Sequence, residues 1–294
     1  MQFSKNLIGH DVAFNNLADL YKKNNLPNKI LLTGASGIGK SLFVNYFLNF
    51  VYGSNDQKNE NDKLIKNNTH PNIFKIFKKK DKKNIDISQI REMIQFQNHS
   101  SFNDNSRFIV IEKIEFLSLN SANALLKSIE EPNKDVFFIL INDTGARILD
   151  TIRSRCIEFK LKLNNNEVKE IVNINFEEDL YEKISNDFIN NYNSPSFIIS
   201  LINFCRDNNI DIYNISIENF IRQIIKDKFY SNNEFIKNYL NFFIELYFYK
   251  NISKTKKIPY KIKNYFYFKL SEIKKYNLDL ETFFLEFKEK ILSE

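Results

Sequence analysis

A glycine-rich segment between two apolar runs has the spacing G-x-x-x-x-G-K-[ST] of a phosphate-binding loop, or P-loop. Its residues are Gly34, Ala35, Ser36, Gly37, Ile38, Gly39, Lys40 and Ser41. The apolar runs 29–32 and 42–48 supply the strand and the helix that this motif requires on either side. The glycines let backbone N–H groups converge on a phosphate, and the start of the helix adds its positive end. We therefore predict a nucleotide site in which Lys40 reaches the β- and γ-phosphates and Ser41 binds Mg²⁺.

A second segment departs from the pattern of P-loop enzymes that hydrolyse nucleotide. The apolar run 108–111 is bounded by charged residues and predicts a buried parallel strand. In hydrolysing enzymes such a strand ends in Asp-Glu, where the Asp holds the metal and the Glu polarises the attacking water. Here Glu112 and Lys113 stand at those two places. Glu112 can still reach Mg²⁺, but Lys113 is a cation at pH 7 and cannot accept a proton from water. We expect nucleotide binding with weak or no hydrolysis.

Composition limits the class of protein without naming its function. The 294 residues suffice for two or three domains, and the net charge of +6 suits contact with nucleic acid or acidic proteins without identifying either. The two cysteines, Cys156 and Cys205, form no C-x-x-C pair, so a four-cysteine zinc site and a disulfide framework are excluded. There is neither an apolar signal core at the amino terminus nor an uncharged run of about 20 residues. We expect a soluble, cytoplasmic protein that does not bind membranes.

The apolar pattern changes once along the chain. Strand patterns alternate with helical patterns in the first half, with strands predicted at 30–32, 73–77, 108–111, 136–141 and 157–161 and helices at 88–96 and 122–129. This alternation predicts a parallel α/β sheet with ligands at the carboxyl ends of its strands. After Leu163 the patterns are helical and rich in Phe, Tyr and Ile. We predict an α/β domain over 1–162, a helical segment over 163–206 and an all-helical domain over 207–294, with an exposed polar loop between 51 and 69.

Six motifs follow one another in a specific order and spacing. They are Ile8-Gly9-His10, the P-loop, Thr69-His70-Pro71-Asn72, Ile85–Arg91, Ser121–Pro132 and Ile152–Cys156. Together they resemble the bacterial clamp-loader subunits of the DNA polymerase III holoenzyme, of the delta-prime type, which belong to the AAA+ group. The resemblance covers roughly residues 5–205 and weakens to a general helical character beyond. It implies a RecA-like AAA+ domain, a helical lid and a carboxy-terminal collar through which subunits assemble.

The resemblance also implies roles for single residues. Arg155, in the motif Ser154-Arg155-Cys156, would act as an arginine finger that reaches the γ-phosphate bound by a neighbouring subunit. A guanidinium supplied in this way stabilises charge on the transferred phosphoryl oxygens. Asn142, at the end of the fourth predicted strand, matches the polar residue that senses the γ-phosphate. The cofactors implied are ATP or ADP with Mg²⁺, for which Ser41 and Glu112 are the candidate metal ligands.

Two departures from the family pattern favour a subunit that does not hydrolyse nucleotide itself. Motor subunits have Gly-Arg after the Ser-Pro of the lid, whereas Ser196-Phe197 follows Ser194-Pro195 in this chain, so the second sensing arginine is missing. The zinc-binding cysteines common in the family are also absent between about residues 51 and 69, and no zinc is predicted. The chain keeps Arg155 while it lacks groups needed for its own hydrolysis. It is therefore predicted to complete a neighbour's site, with weak or absent intrinsic ATPase activity within the holoenzyme.

The function implied is assistance in ATP-driven loading of a sliding clamp onto primed DNA. The partners implied are the motor and clamp-opening subunits, the clamp and, through the complex, primer-template DNA. Two alternatives stay open: a catalytically active AAA+ motor subunit with an unusual metal-binding strand, and a nucleotide-gated DNA-binding scaffold outside replication. Turnover by the purified chain separates the first alternative from the leading interpretation. Co-purification with a ring-shaped clamp and a motor subunit separates the second.

Overall fold

The computed structural model describes residues 7–53, 58–79, 82–99, 106–131, 133, 135–189, 194–252, 260–276 and 278–292. Within these ranges the strands are β1 (Lys29–Gly34), β2 (Ile73–Ile76), β3 (Arg107–Ile111), β4 (Val136–Asp143) and β5 (Ile157–Lys160). The helices of the first half are α1 (Asp11–Lys22), α2 (Lys40–Tyr52), α3 (Lys58–Lys66), α4 (Ile87–Asn98), α5 (Leu119–Glu130), α6 (Asp150–Arg153) and α7 (Asn165–Phe176). Those of the second half are α8 (Pro195–Asp207), α9 (Ile217–Lys226), α10 (Phe229–Asn232), α11 (Glu234–Ile252), α12 (Tyr260–Tyr276) and α13 (Leu280–Phe287), which a π-helical turn, Lys288–Leu292, follows.

The five strands form one parallel sheet in the order β2-β3-β4-β1-β5. The central strands β1 and β4 are neighbours in the sheet but far apart in the chain, and their register places Thr33 opposite Asn142 and Gly34 opposite Asp143. Parallel strands carry their carboxyl ends to one edge of the sheet, which is where ligands bind in such folds. The P-loop therefore begins beside the end of β4.

Both faces of the sheet are buried, as the unbroken apolar runs of its strands require. Side chains alternate across a strand, so Ile30 and Leu32 of β1 lie in one core cluster while Leu31 lies in the other. The first cluster includes buried side chains of α1 and α2, and the second includes buried side chains of α4 and α5. Helices thus cover both faces, as the alternating sequence pattern predicts.

The segment between α2 and β2 differs from its prediction as an exposed loop. Residues 58–66 form α3, and Ile65, a rare apolar residue in this polar segment, is fully buried against the core of the first sheet face. Asp62 accepts a hydrogen bond from Asn49 of α2 and pairs with Lys66 one turn further along α3. Ile65 and the Asn49–Asp62 hydrogen bond thus attach this short helix to the core and to α2, while the i,i+4 ion pair supports the helix itself. The polar composition concealed this attachment, so the loop prediction was wrong for these residues.

The contacts divide the chain into two compact units. Unit 1 comprises Met1–Ile171 with Ser194–Ser196, and unit 2 comprises Val172–Asn193 with Phe197–Glu294. The described part of unit 2 contains no strand. Its core is aromatic: the largest fully buried side chains are Phe188, Phe220, Phe243, Phe248, Phe266, Phe283, Phe284 and Phe287. Rings in this core meet mostly edge to face, an arrangement that aromatic pairs prefer over a flat sandwich.

These observations confirm the predicted fold class, a P-loop α/β domain with a parallel sheet followed by an all-helical region. The division into 1–162, 163–206 and 207–294 stays a prediction. Pro132, the last residue of the motif on α5, lies outside the described residues, as does Asn193 just before the Ser194-Pro195 pair. None of the described helices is long and apolar enough to cross a membrane.

Candidate nucleotide site

The P-loop lies between β1 and α2, in the strand–loop–helix context that its sequence predicts. Gly37 and Gly39 have φ values of 79° and 93°, in the left-handed region that glycine alone enters at no steric cost. Gly39 is the N-cap of α2, and it contributes no side-chain hydrogen bond to the first turn. The backbone N–H groups at the start of α2 are therefore not capped by a side chain, and together with the helix dipole they suit an anion.

The loop is braced by residues on both sides of it in the chain. His10, from the segment before α1, makes a hydrogen bond of 2.9 Å between its Nε2 and the Ile38 carbonyl oxygen. On the other side, the Ser196 N–H donates to the Gly37 carbonyl oxygen at 3.3 Å. A Cβ atom on Gly37 would lie 2.6 Å from Ser194 Oγ, so a larger residue at Gly37 would collide with the Ser194–Ser196 segment. Both braces belong to unit 1.

A cavity of about 580 Å³ opens beside the motif Ile8-Gly9-His10. Its lining residues include Leu7, Ile8, Gly9, Asp11, Phe14 and Tyr46. Glu167 and Glu170 line it as well, so polar and apolar groups contribute about equally to the cavity. His10, which follows Ile8 and Gly9, contacts the P-loop. Because His10 links this segment to the P-loop, the cavity is a candidate for the base end of a nucleotide whose phosphates lie on the P-loop.

Lys40 is buried at the base of the P-loop, where protein acceptors surround it. Its Nζ donates to the carbonyl oxygens of Gly34 and Ala35, both at 2.8 Å, and to Asp143 Oδ1 at 2.6 Å. Its side chain is 5% exposed and that of Asp143 is 23% exposed. A buried cation needs such partners because an unpaired charge away from water is costly.

Asn142 stands where the sequence places the phosphate-sensing residue. It is almost fully buried near the end of β4, opposite Thr33 of β1. Its Nδ2 makes one long hydrogen bond, 3.4 Å, to the Ala146 carbonyl oxygen, and its Oδ1 has no hydrogen-bond partner among the described residues. Buried amides normally satisfy both groups. An incompletely bonded amide beside the P-loop fits a site that a polar ligand completes.

Glu112 and Lys113 follow β3 directly, at the edge where the P-loop also lies. The Glu112 side chain is half-buried. Burial lowers the pKa of the neighbouring Lys75, and the negative charge of Glu112 opposes that shift. Lys113 is exposed and has a φ of 54°, an uncommon value for a residue with a side chain, and it begins the turn Ile114–Phe116. The place of the water-polarising glutamate is therefore held by a solvent-facing cation.

Two carboxylates that the sequence reasoning missed lie close to Lys40. Asp143 pairs with Lys40 directly, and Glu115 is near enough that its pKa responds to the charges of Lys40 and Asp143. Burial raises the pKa of Glu115, and Asp143 raises it further, while a backbone hydrogen bond, Lys113 and Lys40 oppose the shift. Glu115 Oε2 has no hydrogen-bond partner within the described part of the chain. The available signal was that Asp143 ends β4 and that Glu115 lies four residues after β3, two strands that end at the P-loop edge.

The residues present fit a magnesium ion that arrives with a nucleotide. Across the described ranges, no group of three or more His, Cys, Asp or Glu side chains could hold a metal ion. Magnesium in nucleotide sites commonly binds through one or two protein ligands plus phosphate oxygens. Ser41, in the first turn of α2, is half-buried and would supply one such oxygen.

Phe197 occupies the position where the resemblance leads one to expect a sensing arginine. It is 3% exposed and packs within unit 2 against Tyr239 and Phe242, with ring centroids 4.9 and 4.8 Å away. Phe235 and Phe243 complete the aromatic group around it. An apolar ring in this setting contributes to the core and offers no charge to a phosphate.

Arg155 lies just after α6, on the surface. Its Nη1 donates to the Thr151 carbonyl oxygen at 2.9 Å, and its Nη2 lies 2.7 Å from Glu130 Oε1 at the end of α5. Neither partner belongs to the chain's own P-loop. The next residue, Cys156, is half-buried, and burial raises the pKa of its thiol to about 11.

A family model described as DNA polymerase III, delta subunit, matches residues 9–165 of the chain, which is more than half of it. The chain belongs to this family. The span that matches the delta-subunit family contains the P-loop, Glu112, Asn142 and Arg155. All the site residues proposed from the sequence thus fall inside the matched span.

Single relatives of this delta-subunit family member are named as subunits of DNA polymerase III. DNA polymerase III subunit delta' of Pseudomonas aeruginosa is 35% identical over 95 residues, 32% of this chain and 29% of the relative. The delta' subunit of Bacillus subtilis is 30% identical over 140 residues, 46% of this chain and 42% of the relative. The tau/gamma subunit of Haemophilus influenzae is 29% identical over 162 residues, 53% of this chain and 23% of the relative. The similarity thus spans less than half the length of each of these relatives.

Solved structures give weaker matches. A gamma-subunit-related protein of DNA polymerase III from Thermotoga maritima aligns with a TM-score of 0.43 at 19% identity, covering 59% of this chain and 50% of that one. The RuvB Holliday junction branch migration motor of Thermotoga maritima aligns with a TM-score of 0.43 at 17% identity, covering 75% and 77%.

Proposed function

We propose that this delta-family chain is a delta-prime-like clamp-loader subunit that assists ATP-driven loading of a sliding clamp onto primed DNA. Its own site binds nucleotide weakly or without productive hydrolysis, and Arg155 completes the site of a neighbouring motor subunit. Membership of the delta-subunit family and the delta' names of its relatives support this role.

One observation carries the proposal. The Arg155 guanidinium is exposed, and its two partners in the described part of the chain lie outside the P-loop, whereas the groups expected to act in cis are replaced. Lys113 is a cation where a base is needed, and Phe197 is committed to an aromatic core. A chain with these features cannot activate water in the usual way, but it can still offer a guanidinium to a phosphate elsewhere.

In the chain's own site, ATP or ADP would lie with its phosphates on residues 34–41. Ser41 and Glu112 would hold Mg²⁺, and Asn142 would face the γ-phosphate. The metal would neutralise phosphate charge. The chain's own residues would bind and orient the nucleotide without supplying a base for the attacking water.

The proposed partners are the motor and clamp-opening subunits, the clamp and, through the complex, primer-template DNA. The helical unit 2 is the candidate for assembly because it exposes large apolar side chains on several helices. Tyr249 on α11, Phe268 on α12 and Leu285 on α13 are 70%, 63% and 65% exposed. Exposed apolar groups of this size, where they lie together in one patch, are typical of surfaces that a partner covers.

Reconstitution tests the proposal. The full-length chain is mixed with the motor and clamp-opening subunits of its organism, and the complex is isolated by size-exclusion chromatography. Clamp loading on primed DNA is then measured with and without the chain. We expect a stable complex whose clamp loading needs this chain. A chain that joins no complex, or whose omission leaves loading unchanged, would contradict the proposed role.

A second candidate, an active ATPase, is favoured by one observation. Glu115 is a half-buried carboxylate near Lys40 whose pKa is raised, chiefly by burial, and a raised pKa is common in catalytic bases. If Glu115 activates water, the purified chain hydrolyses ATP, and Glu115→Gln removes this activity while nucleotide binding persists. The leading proposal predicts no turnover that Glu115→Gln could remove.

A further inference from the structure

The ammonium group of Lys40 has no hydrogen left for a phosphate in the structure described. It carries three donors, and Gly34, Ala35 and Asp143 each accept one hydrogen bond of 2.6–2.8 Å. The two carbonyl oxygens belong to the P-loop, so they hold the side chain in place. The third partner is a carboxylate, which resembles a phosphate oxygen in charge and in hydrogen-bonding capacity.

The sheet and the following turn bring this carboxylate to Lys40. Asp143 is the last residue of β4, and its register partner on β1 is Gly34, the first residue of the P-loop. The turn after it is attached to the loop as well, because the Thr144 N–H donates to the Gly34 carbonyl oxygen at 2.8 Å. Asp143 is therefore held against the P-loop by the backbone of two neighbouring strands.

The charges near Lys40 disfavour a further anion. Asp143 pairs with it, and Glu115 is a second carboxyl group within electrostatic reach of both residues. A nucleotide phosphate that approaches Lys40 must displace the Asp143 carboxylate and then lie beside it. Like charges at close range oppose such binding, most strongly where water is excluded.

We propose that Asp143 is a built-in competitor of the nucleotide phosphates for Lys40 and lowers the affinity of this site for nucleotide. This inference rests on the proposed nucleotide site and adds a residue that controls its occupancy. In the free chain Asp143 holds Lys40. When a nucleoside diphosphate or triphosphate binds, its phosphate takes over that hydrogen bond and the Asp143 side chain turns away.

The test is direct binding to the full-length chain. Affinities for a fluorescent ADP analogue and for ATP with Mg²⁺ are measured for the wild type, Asp143→Asn and Asp143→Ser. Asp150→Asn serves as the matched control, because it removes the same charge from an exposed residue at the start of α6. We expect Asp143→Asn and Asp143→Ser to bind at least tenfold more tightly than the wild type, and Asp150→Asn to bind like it.

Thermal melting identifies any variant that fails to fold. Asp143→Asn keeps an amide oxygen as an acceptor for Lys40, and Asp143→Ser keeps a hydroxyl oxygen on a smaller side chain. Two independent variants therefore report on the loss of the same charge. Lys40→Ala in the Asp143→Asn background should lose the gain in affinity. Folded Asp143 variants that bind no more tightly than the wild type overturn the inference. Complex formation with the motor subunits is measured on the same samples. Tighter nucleotide binding by the Asp143 variants without assembly would refute the proposed function alone. Assembly without tighter nucleotide binding would refute this inference alone.

Discussion

The Arg155 guanidinium forms an ion pair with the Glu130 carboxylate, with 2.7 Å between Nη2 and Oε1, at the surface of the α/β unit. Glu130 ends α5, the helix that carries most of the motif Ser121–Pro132, so the pair connects two motifs that are separate in sequence. An exposed pair of this kind contributes only about 0.2–1 kcal/mol to stability. A phosphate on a neighbouring subunit can therefore replace Glu130 at little cost.

Replacement of this arginine tests its role in trans. Arg155→Ala should leave folding and assembly nearly unchanged, because it removes an exposed side chain and a weak ion pair. DNA-stimulated ATP hydrolysis and clamp loading by the reconstituted complex should fall more than tenfold, since a neighbour's transition state loses its cation. Arg155→Lys should rescue poorly because an ammonium lacks the planar fork of a guanidinium.

Arg153→Ala is the matched control for Arg155→Ala. Arg153 lies two residues before Arg155 and is also exposed, and its Nε is 3.8 Å from Glu158 Oε2. We expect clamp loading by the Arg153→Ala complex to stay within about twofold of the wild type, because Arg153 does not occupy the position of the predicted arginine finger. Normal loading by an assembled Arg155→Ala complex would leave the chain with a purely structural role.

The isolated chain should bind nucleotide without turning it over. The loop has the backbone conformation and helix start that bind phosphate, while Lys113 cannot act as a base. Binding is measured with a fluorescent ADP analogue and turnover by phosphate release. Lys40→Ala controls for contaminating ATPases, after a melting curve shows that it folds. Steady-state hydrolysis by the wild type that Lys40→Ala abolishes would be incompatible with this prediction.

Unit 2 should associate with partners through its exposed apolar side chains. Phe268→Ser changes a residue of α12 that is 63% exposed, so the free energy of unfolding should change by no more than about 0.5 kcal/mol. Affinity for the motor subunits should fall at least tenfold if a partner buries this ring. Val12→Ser on α1, at a residue 77% exposed in unit 1, is the control and should assemble normally. Equal affinities for both variants would exclude Phe268 from the interface.

Both thiols should be slow to react in the folded chain. Burial raises the pKa of Cys156 to about 11 and that of Cys205 to about 12. Since the thiolate is the nucleophile, its fraction at pH 8 is only about 0.1% for a pKa of 11, against roughly a quarter for an ordinary thiol of pKa about 8.5. Alkylation by iodoacetamide at pH 8 should therefore be at least a hundredfold slower in the native chain than in denaturant. It should accelerate as the pH rises toward 10, and rapid native alkylation of Cys156 at pH 8 would contradict the prediction.

The sequence by itself determined the features that depend on local spacing. The P-loop could be predicted because its glycines, Lys40 and Ser41 act within eight consecutive residues between a strand and a helix. The strands could be predicted because a parallel strand buried on both faces needs an unbroken apolar run. Arg155 was identified through the short motif around it and its resemblance to a family, and its role in trans stays a prediction.

Only the tertiary structure decided which distant residues meet. Lys40 and Asp143 are 103 residues apart, and they pair because β1 and β4 are neighbours in the sheet with one particular register. The burial of Ile65 against the core, the aromatic surroundings of Phe197 and the closeness of Glu115 to Lys40 likewise depend on packing between separate elements. Spacing along one chain specifies local conformation, but strand order and register are set by the free energy of the whole core.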